Sequence, residues 1–186
     1  ATTVSIVSGT LAERIKLWPF FLFAAILAGI IYPIVMGWQW GGGWLASAGF
    51  SDFAGSTLVH SAGGAAALAG AIILGPRLNR FKNGQAEPLE PYAASSIPLA
   101  TLGTFILWLG WFGFNGGSNG ALDESVALIL INTFLAASFG LLTGLLISLI
   151  FHKKPDPMYL VLGPLAGLVS ITASCNSVNS ILAIII

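Results

Sequence analysis

The chain has 186 residues, 56% of them hydrophobic and 8% charged, with a mean hydropathy of +0.90, whereas an ordinary soluble domain carries roughly 25% charged residues. That composition excludes a soluble globular domain, and apolar runs of helical length exclude a barrel of short alternating strands. Seven Lys and Arg balance seven Asp and Glu, which leaves net charge silent about partners, and a lone cysteine, Cys175, excludes an intrachain disulfide.

The opening residues, ATTVSIVSGTLAERIK, have no initiating Met and no basic leader, and the closing ILAIII stops inside an apolar run. Both ends read as cuts in a longer polytopic chain. The pattern predicts a helix end at about 1–11, spans near 17–36, 53–75, 97–115, 126–151 and 158–174, and the start of another at 180–186. Together these form one all-α transmembrane bundle over residues 1–186. All seven Lys and Arg fall in the connections 12–16, 76–96 and 152–157. By the positive-inside rule these three are cytoplasmic, and the connections 37–52, 116–125 and 175–180 are external.

That orientation puts Asp52 at the external mouth of its helix, with His60 roughly 12 Å deeper if all eight intervening steps are α-helical. Asp52 is a candidate N-cap, and a carboxylate at an external mouth also attracts arriving cations. Asp123 and Glu124 read first as part of a solvated loop, with the same attraction in weaker form as the alternative. An imidazole near mid-bilayer is costly, and such groups face a bundle interior or an aqueous path. The small residues 61–67 that follow His60 permit close helix contact or leave a narrow lumen. Neutral imidazole, with one donor and one acceptor, can pass a small polar solute along without imposing a charge. His152, in a basic loop, has no specific task on this reading.

Further along, LWLGWFGFNGGSNG (107–120) runs toward the external side and carries Trp108, Trp111, Phe112 and Phe114 before Asn115 and Ser118. Interfacial belts use such rings as anchors. Trp40, in the external WQWGGGW segment, adds another ring on the same side, and a ring face attracts a cation by about 0.5–2 kcal/mol. The pentapeptide GGSNG (116–120) matches the G-x-S-x-G elbow of serine hydrolases, but an elbow needs a strand, a sharp turn and a helix. It is read here as a chance match. Gly113/Gly117, Gly140/Gly144 and Gly163/Gly167 are small-xxx-small pairs that signal tight helix packing weakly.

Four stretches in order, SGTLAERIKLWPF (8–20), DFAGSTLVHSAGGAAALAGAIILGPR (52–77), WFGFNGGS (111–118) and GLVSITASC (167–175), resemble the ammonium transporter and Rhesus (Amt/Rh) family of channel-like proteins. The resemblance covers the whole chain, from the end of that family's third transmembrane helix to the start of its ninth. It implies a multi-pass cell-membrane protein, not an enzyme, with ammonium or ammonia as substrate and with no cofactor, metal or nucleic acid. Trp40 and Ser118 would recruit the cation outside, and Phe114 would be one of two stacked gate rings with Trp111 lining the lumen. His60 would be the first of two facing pore imidazoles, and Asp52 the acid that supports the vestibule. The second gate ring and the second pore histidine would lie beyond the two ends. The resemblance also implies a homotrimer and a PII-type regulatory partner on the cytoplasmic face. An ammonium sensor of the same fold, an intramembrane hydrolase built on Ser118 and His60, and a packing-only subunit are the rival readings.

Overall fold

The structure, a computed structural model, describes residues 1–78, 80–82, 84–86 and 95–186. Its elements in chain order are α1 (Thr2–Leu11), α2 (Leu17–Ile26), a π-helical stretch (Leu27–Ile31), α3 (Tyr32–Gln39) and the short α4 (Trp44–Ser47). A second π-helical stretch (Ser56–Ser61) leads into α5 (Ala62–Leu74), followed by the two-residue strands β1 (Phe81–Lys82) and β2 (Gln85–Ala86). The chain then forms α6 (Ile97–Gly117), α7 (Ser125–His152), α8 (Pro157–Ile171) and α9 (Ser180–Ile185). Among the described residues, four segments are long and apolar enough to cross a membrane: Leu17–Ser47, Ser56–Leu74, Ile97–Gly117 and Ser125–His152. The 28 residues of α7 extend about 42 Å at 1.5 Å each, more than the hydrocarbon core requires.

Contacts divide the chain into two compact units, Ala1–Ser51 with Thr57–Ala93, and Asp52–Ser56 with Ala94–Ile186. In the first unit, α1 packs against α5 through small residues one helical turn apart. A Cβ on Gly63 would stand 2.9 Å from the Thr3 carbonyl oxygen, and one on Gly70 2.4 Å from a Leu11 methyl. Ala67, between them on the same face, is buried with Val7, Leu11 and Leu27. Where these helices end, Arg14 donates to the carbonyl of Gly75 and Arg77 donates to that of Gly9 at 3.2 Å. Gly75 ends α5 at φ +75°, a conformation that glycine adopts without steric cost.

In the second unit the backbones of α7 and α8 touch. A Cβ on Gly140 would lie 2.4 Å from the Gly163 carbonyl oxygen, one on Gly144 2.5 Å from that of Tyr159, and one on Gly167 2.1 Å from that of Ala136. Two of the three small-xxx-small pairs therefore mark a real interface. The third does not, because a Cβ at Gly113 or Gly117 meets nothing within 4 Å. Outside these contacts the helices present large apolar side chains, including Trp18 (79% exposed), Ile73 (82%), Leu109 (73%) and Phe151 (74%). Such an exterior suits hydrocarbon and not water.

Several boundaries differ from the sequence expectation. The external 37–52 connection is partly helical, because α3 runs on to Gln39 and α4 occupies Trp44–Ser47. The helix expected from 53 starts at Ser56, and its first six residues are π-helical, which apolar periodicity alone does not reveal. The span expected to reach 174 ends at Ile171 and gives way to turns. Of the 76–96 connection, residues 79, 83 and 87–94 lie outside the described residues. His152 is not idle: it closes α7, with Nε2 3.3 Å from the Tyr159 hydroxyl and the two rings edge to face at 5.3 Å.

These glycine contacts predict opposite outcomes for two substitutions of the same kind. Gly167→Ala should destabilise the protein by about 1–3 kcal/mol through overpacking, whereas Gly113→Ala should change stability by less than about 0.5 kcal/mol. Thermal unfolding of the detergent-solubilised protein checks both.

Candidate functional site

The candidate residues fall into both units, and each group is built differently. Trp111 and Phe114 lie on the last turns of α6 and Ser118 just beyond its C-terminal end; Ser96 starts the helix by accepting the Leu99 N–H at 3.4 Å. The Trp111 and Phe114 rings stand 5.8 Å apart and are tilted by 49°. Ser118 follows the last helical residue, is exposed, and donates its hydroxyl proton to the Phe114 carbonyl at 2.8 Å. Committing that proton leaves the oxygen lone pairs as acceptors. Ser118 is entered from the helix α6 and not from a strand, so this position lacks the strand–turn–helix order that a hydrolase elbow needs.

Trp111 is further fixed by a residue to which the sequence reading gave no role. Its indole N–H donates to Thr172 Oγ1 at 2.8 Å, and that hydroxyl donates onward to the Leu168 carbonyl at 2.6 Å. Asn115, fully buried between Phe114 and the end of α6, donates from Nδ2 to Thr133 Oγ1 at 3.0 Å. Its neighbour on α7, Asn132, donates to the carbonyls of Cys175 at 2.9 Å and Val178 at 2.8 Å. Thus α7 holds the end of α6 with one residue and the turn between α8 and α9 with the next. The available signal was a set of polar residues, Asn115, Asn132, Thr133 and Thr172, inside apolar runs.

Asp52 is 1% exposed, so its carboxylate is not the open cation lure expected at the mouth. Its Oδ1 accepts the Gly55 N–H at 2.7 Å and the Ser56 N–H at 3.1 Å, which caps the helix that carries His60. The same short stretch is joined to the turn after α8. Phe53 N–H donates to the Ala173 carbonyl at 2.9 Å, Ala54 N–H to that of Thr172 at 3.1 Å, and Ala173 N–H to Ser56 Oγ at 2.7 Å. Gly55 sits inside it at φ +116°, a region that favours glycine.

In the first unit, His60 is half-buried and occupies the fifth position of the π-helical stretch. The depth of 12 Å reckoned for an unbroken α-helix does not apply, because residues 52–55 are not helical. Single π-helical turns recur at functional sites. Trp40 follows α3 and is 40% exposed, with its N–H bonded to the Met36 carbonyl at 2.9 Å. Its turn is held tight by small residues: a Cβ on Gly43 would lie 2.7 Å from the Gly37 carbonyl oxygen.

The acidic pair of the 116–125 connection is structural at one member. Asp123 accepts from the Ser125 hydroxyl, from the Ser125 N–H at 3.0 Å and from Asn119 Nδ2 at 3.1 Å. The Ser125 hydroxyl above all, then its N–H, holds this carboxyl below the usual range. Among the described residues no group of three or more His, Cys, Asp or Glu gathers to hold a metal ion.

Residues 1–186 match the model of the Ammonium Transporter Family over their full length. The chain belongs to the ammonium transporter family. It is 45% identical to a putative ammonium transporter of Synechocystis, which it matches over 100% of its own length and 43% of the relative's. It is 43% identical to ammonium transporter Amt2 of Archaeoglobus fulgidus, over 94% of this chain and 39% of that one. Among solved structures, one named Sensor Amt Protein superimposes with a TM-score of 0.93 at 41% identity, covering 99% of this chain and 47% of that one. Candida albicans Mep2 superimposes with a TM-score of 0.86 at 36% identity, covering 98% and 40%. The chain therefore spans less than half the length of these relatives. The family is one of multi-pass membrane transporters and not of enzymes, which agrees with the four long apolar helices.

The Asp52 cap carries its own expectation. In the full-length protein, Asp52→Ala should lower stability by about 1–2 kcal/mol, and Asp52→Asn, which keeps an acceptor, by less. Thermal unfolding of the two variants separates them.

Proposed function

We propose that the whole protein moves ammonium across the membrane by recruiting NH4+ outside, taking its proton and conducting NH3 along a path lined by His60. The observation that carries this reading is the external end of α6, where an acceptor hydroxyl, Ser118, stands on the turn after two adjacent rings, Trp111 and Phe114. Membership of the ammonium transporter family supports it. In this reading Trp40 attracts the cation through its ring face and Ser118 accepts an N–H from it. Phe114 closes the vestibule and Trp111 lines the lumen beneath. The Asp52 carboxylate supports the vestibule from below by fixing the turn at which the His60 helix begins.

The chemistry follows from desolvation. Carrying a bare cation through a dry pore is expensive, whereas NH3 needs only donors and acceptors, and a neutral imidazole supplies one of each. K+ is rejected because it has no proton to surrender and no N–H to donate. The working assembly is a homotrimer, regulated on the cytoplasmic face by a PII-type protein.

A second reading has an observation of its own, the likeness to the structure named Sensor Amt Protein. A sensor would bind ammonium at the same external residues and pass the occupancy to a cytoplasmic module instead of supporting net uptake.

Flux of ammonium or methylammonium into liposomes holding the full-length protein distinguishes the two. Trp40→Leu should raise the half-saturating concentration by about 2- to 30-fold, the range expected for losing about 0.5–2 kcal/mol of attraction to a ring face, and Ser118→Ala by about 10- to 150-fold, the range for losing a hydrogen bond to a charged group. His60→Ala should change the flux or its selectivity over K+. Binding without flux in the wild type would favour the sensor.

A further inference from the structure

We propose that Thr172 is the positioning residue for the Trp111 ring and couples that ring to the turn from which the His60 helix starts. This rests on the pore reading of α6. An indole has one polar hydrogen and no acceptor, so the partner of Trp111 Nε1 decides how the ring is held. That partner is the Thr172 hydroxyl, at 2.8 Å. A buried threonine at a helix end commonly bonds the carbonyl four residues back, and Thr172, fully buried, does so to Leu168 at 2.6 Å. Because its proton is committed there, its oxygen is oriented to accept, and the indole uses that acceptor.

The backbone of the same residue faces the other way. The Thr172 carbonyl accepts the Ala54 N–H at 3.1 Å, and the next residue, Ala173, both accepts from Phe53 and donates to Ser56 Oγ. One dipeptide thus holds the lumen ring with a side chain and the 52–56 turn with its backbone. A displacement of that turn moves Thr172 and, through a single hydrogen bond, the Trp111 ring. Trp111 is in turn 5.8 Å from Phe114, so the gate ring packs against a neighbour whose tilt Thr172 sets.

The test uses full-length protein in liposomes and nanodiscs, with methylammonium as the transported probe. Thr172→Val keeps the side-chain shape and removes the hydroxyl, and Thr172→Ser keeps the hydroxyl. The valine variant should raise the half-saturating methylammonium concentration about two- to tenfold, the range for one lost hydrogen bond, and serine should restore it. In a Trp111→Phe background, which has no indole N–H, Thr172→Val should add no further change, because two residues acting through one bond are not additive. The indole 15N resonance of Trp111, assigned by its loss in Trp111→Phe, should shift in the valine variant and not in the serine variant.

An unmoved indole resonance, or a transport change of the same size in the Trp111→Phe background, would overturn the positioning role. Absence of flux in the wild type would instead count against the pore reading, and the indole result would still decide whether Thr172 holds the ring.

Discussion

A buried backbone group has no water to bond, so backbone that leaves a helix in a packed interior must find its partners within the protein. That constraint bears hardest on residues 52–56 and on the turns from Thr172 to Ser177, which are not α-helical. They satisfy one another. The amides of Phe53 and Ala54 reach carbonyls of Ala173 and Thr172, the Ser56 hydroxyl takes the Ala173 amide, and the Asp52 carboxylate takes the amides of Gly55 and Ser56. Asn132 then binds the Cys175 and Val178 carbonyls from α7. Irregular backbone is thereby given a fixed shape by its own partners, although the Oδ1 atom of Asn132 is buried without one.

Close approach of helices does the remaining positioning. Gly140, Gly144, Gly163 and Gly167 let α7 and α8 meet backbone to backbone, which sets where Thr133 and Asn132 on α7, and Thr172 just after α8, come to stand. In a bilayer, packing and interhelical hydrogen bonds supply the attraction that water expulsion supplies elsewhere. The rings of α6 depend on that arrangement, since Trp111 leans on Thr172 and the next turn is anchored through Asn115 to Thr133. The route from sequence to site therefore passes through glycines and buried hydroxyls, not through the aromatic residues alone.

Much of this was legible in the sequence. Long apolar runs marked the helical segments in their order, because nothing else explains so many consecutive uncharged residues, and the clustering of Lys and Arg supplied an expectation of sidedness. Asp52 was legible as a cap, since a carboxylate just before a helical run has few other tasks. The rest was hidden for physical reasons. A π-helical turn at 56–61 depends on tertiary hydrogen bonds and leaves no period in the residues. Burial of Asp52 depends on chain more than a hundred residues away. Gly113/Gly117 and Gly163/Gly167 share one spacing, and only the partner helix decides which pair is used. Thr172 lay in plain view within GLVSITASC, but its bond to Trp111 spans 61 residues.

The most direct measurement is amide hydrogen exchange at Phe53, Ala54, Gly55 and Ser56 in the full-length protein embedded in nanodiscs. If the bonds that satisfy this stretch shape the start of the His60 helix, these four amides exchange as slowly as those in the middle of α7. Exchange at the rate of an exposed loop would contradict the account, since a turn that opens freely could not hold either the helix or the ring that depends on it.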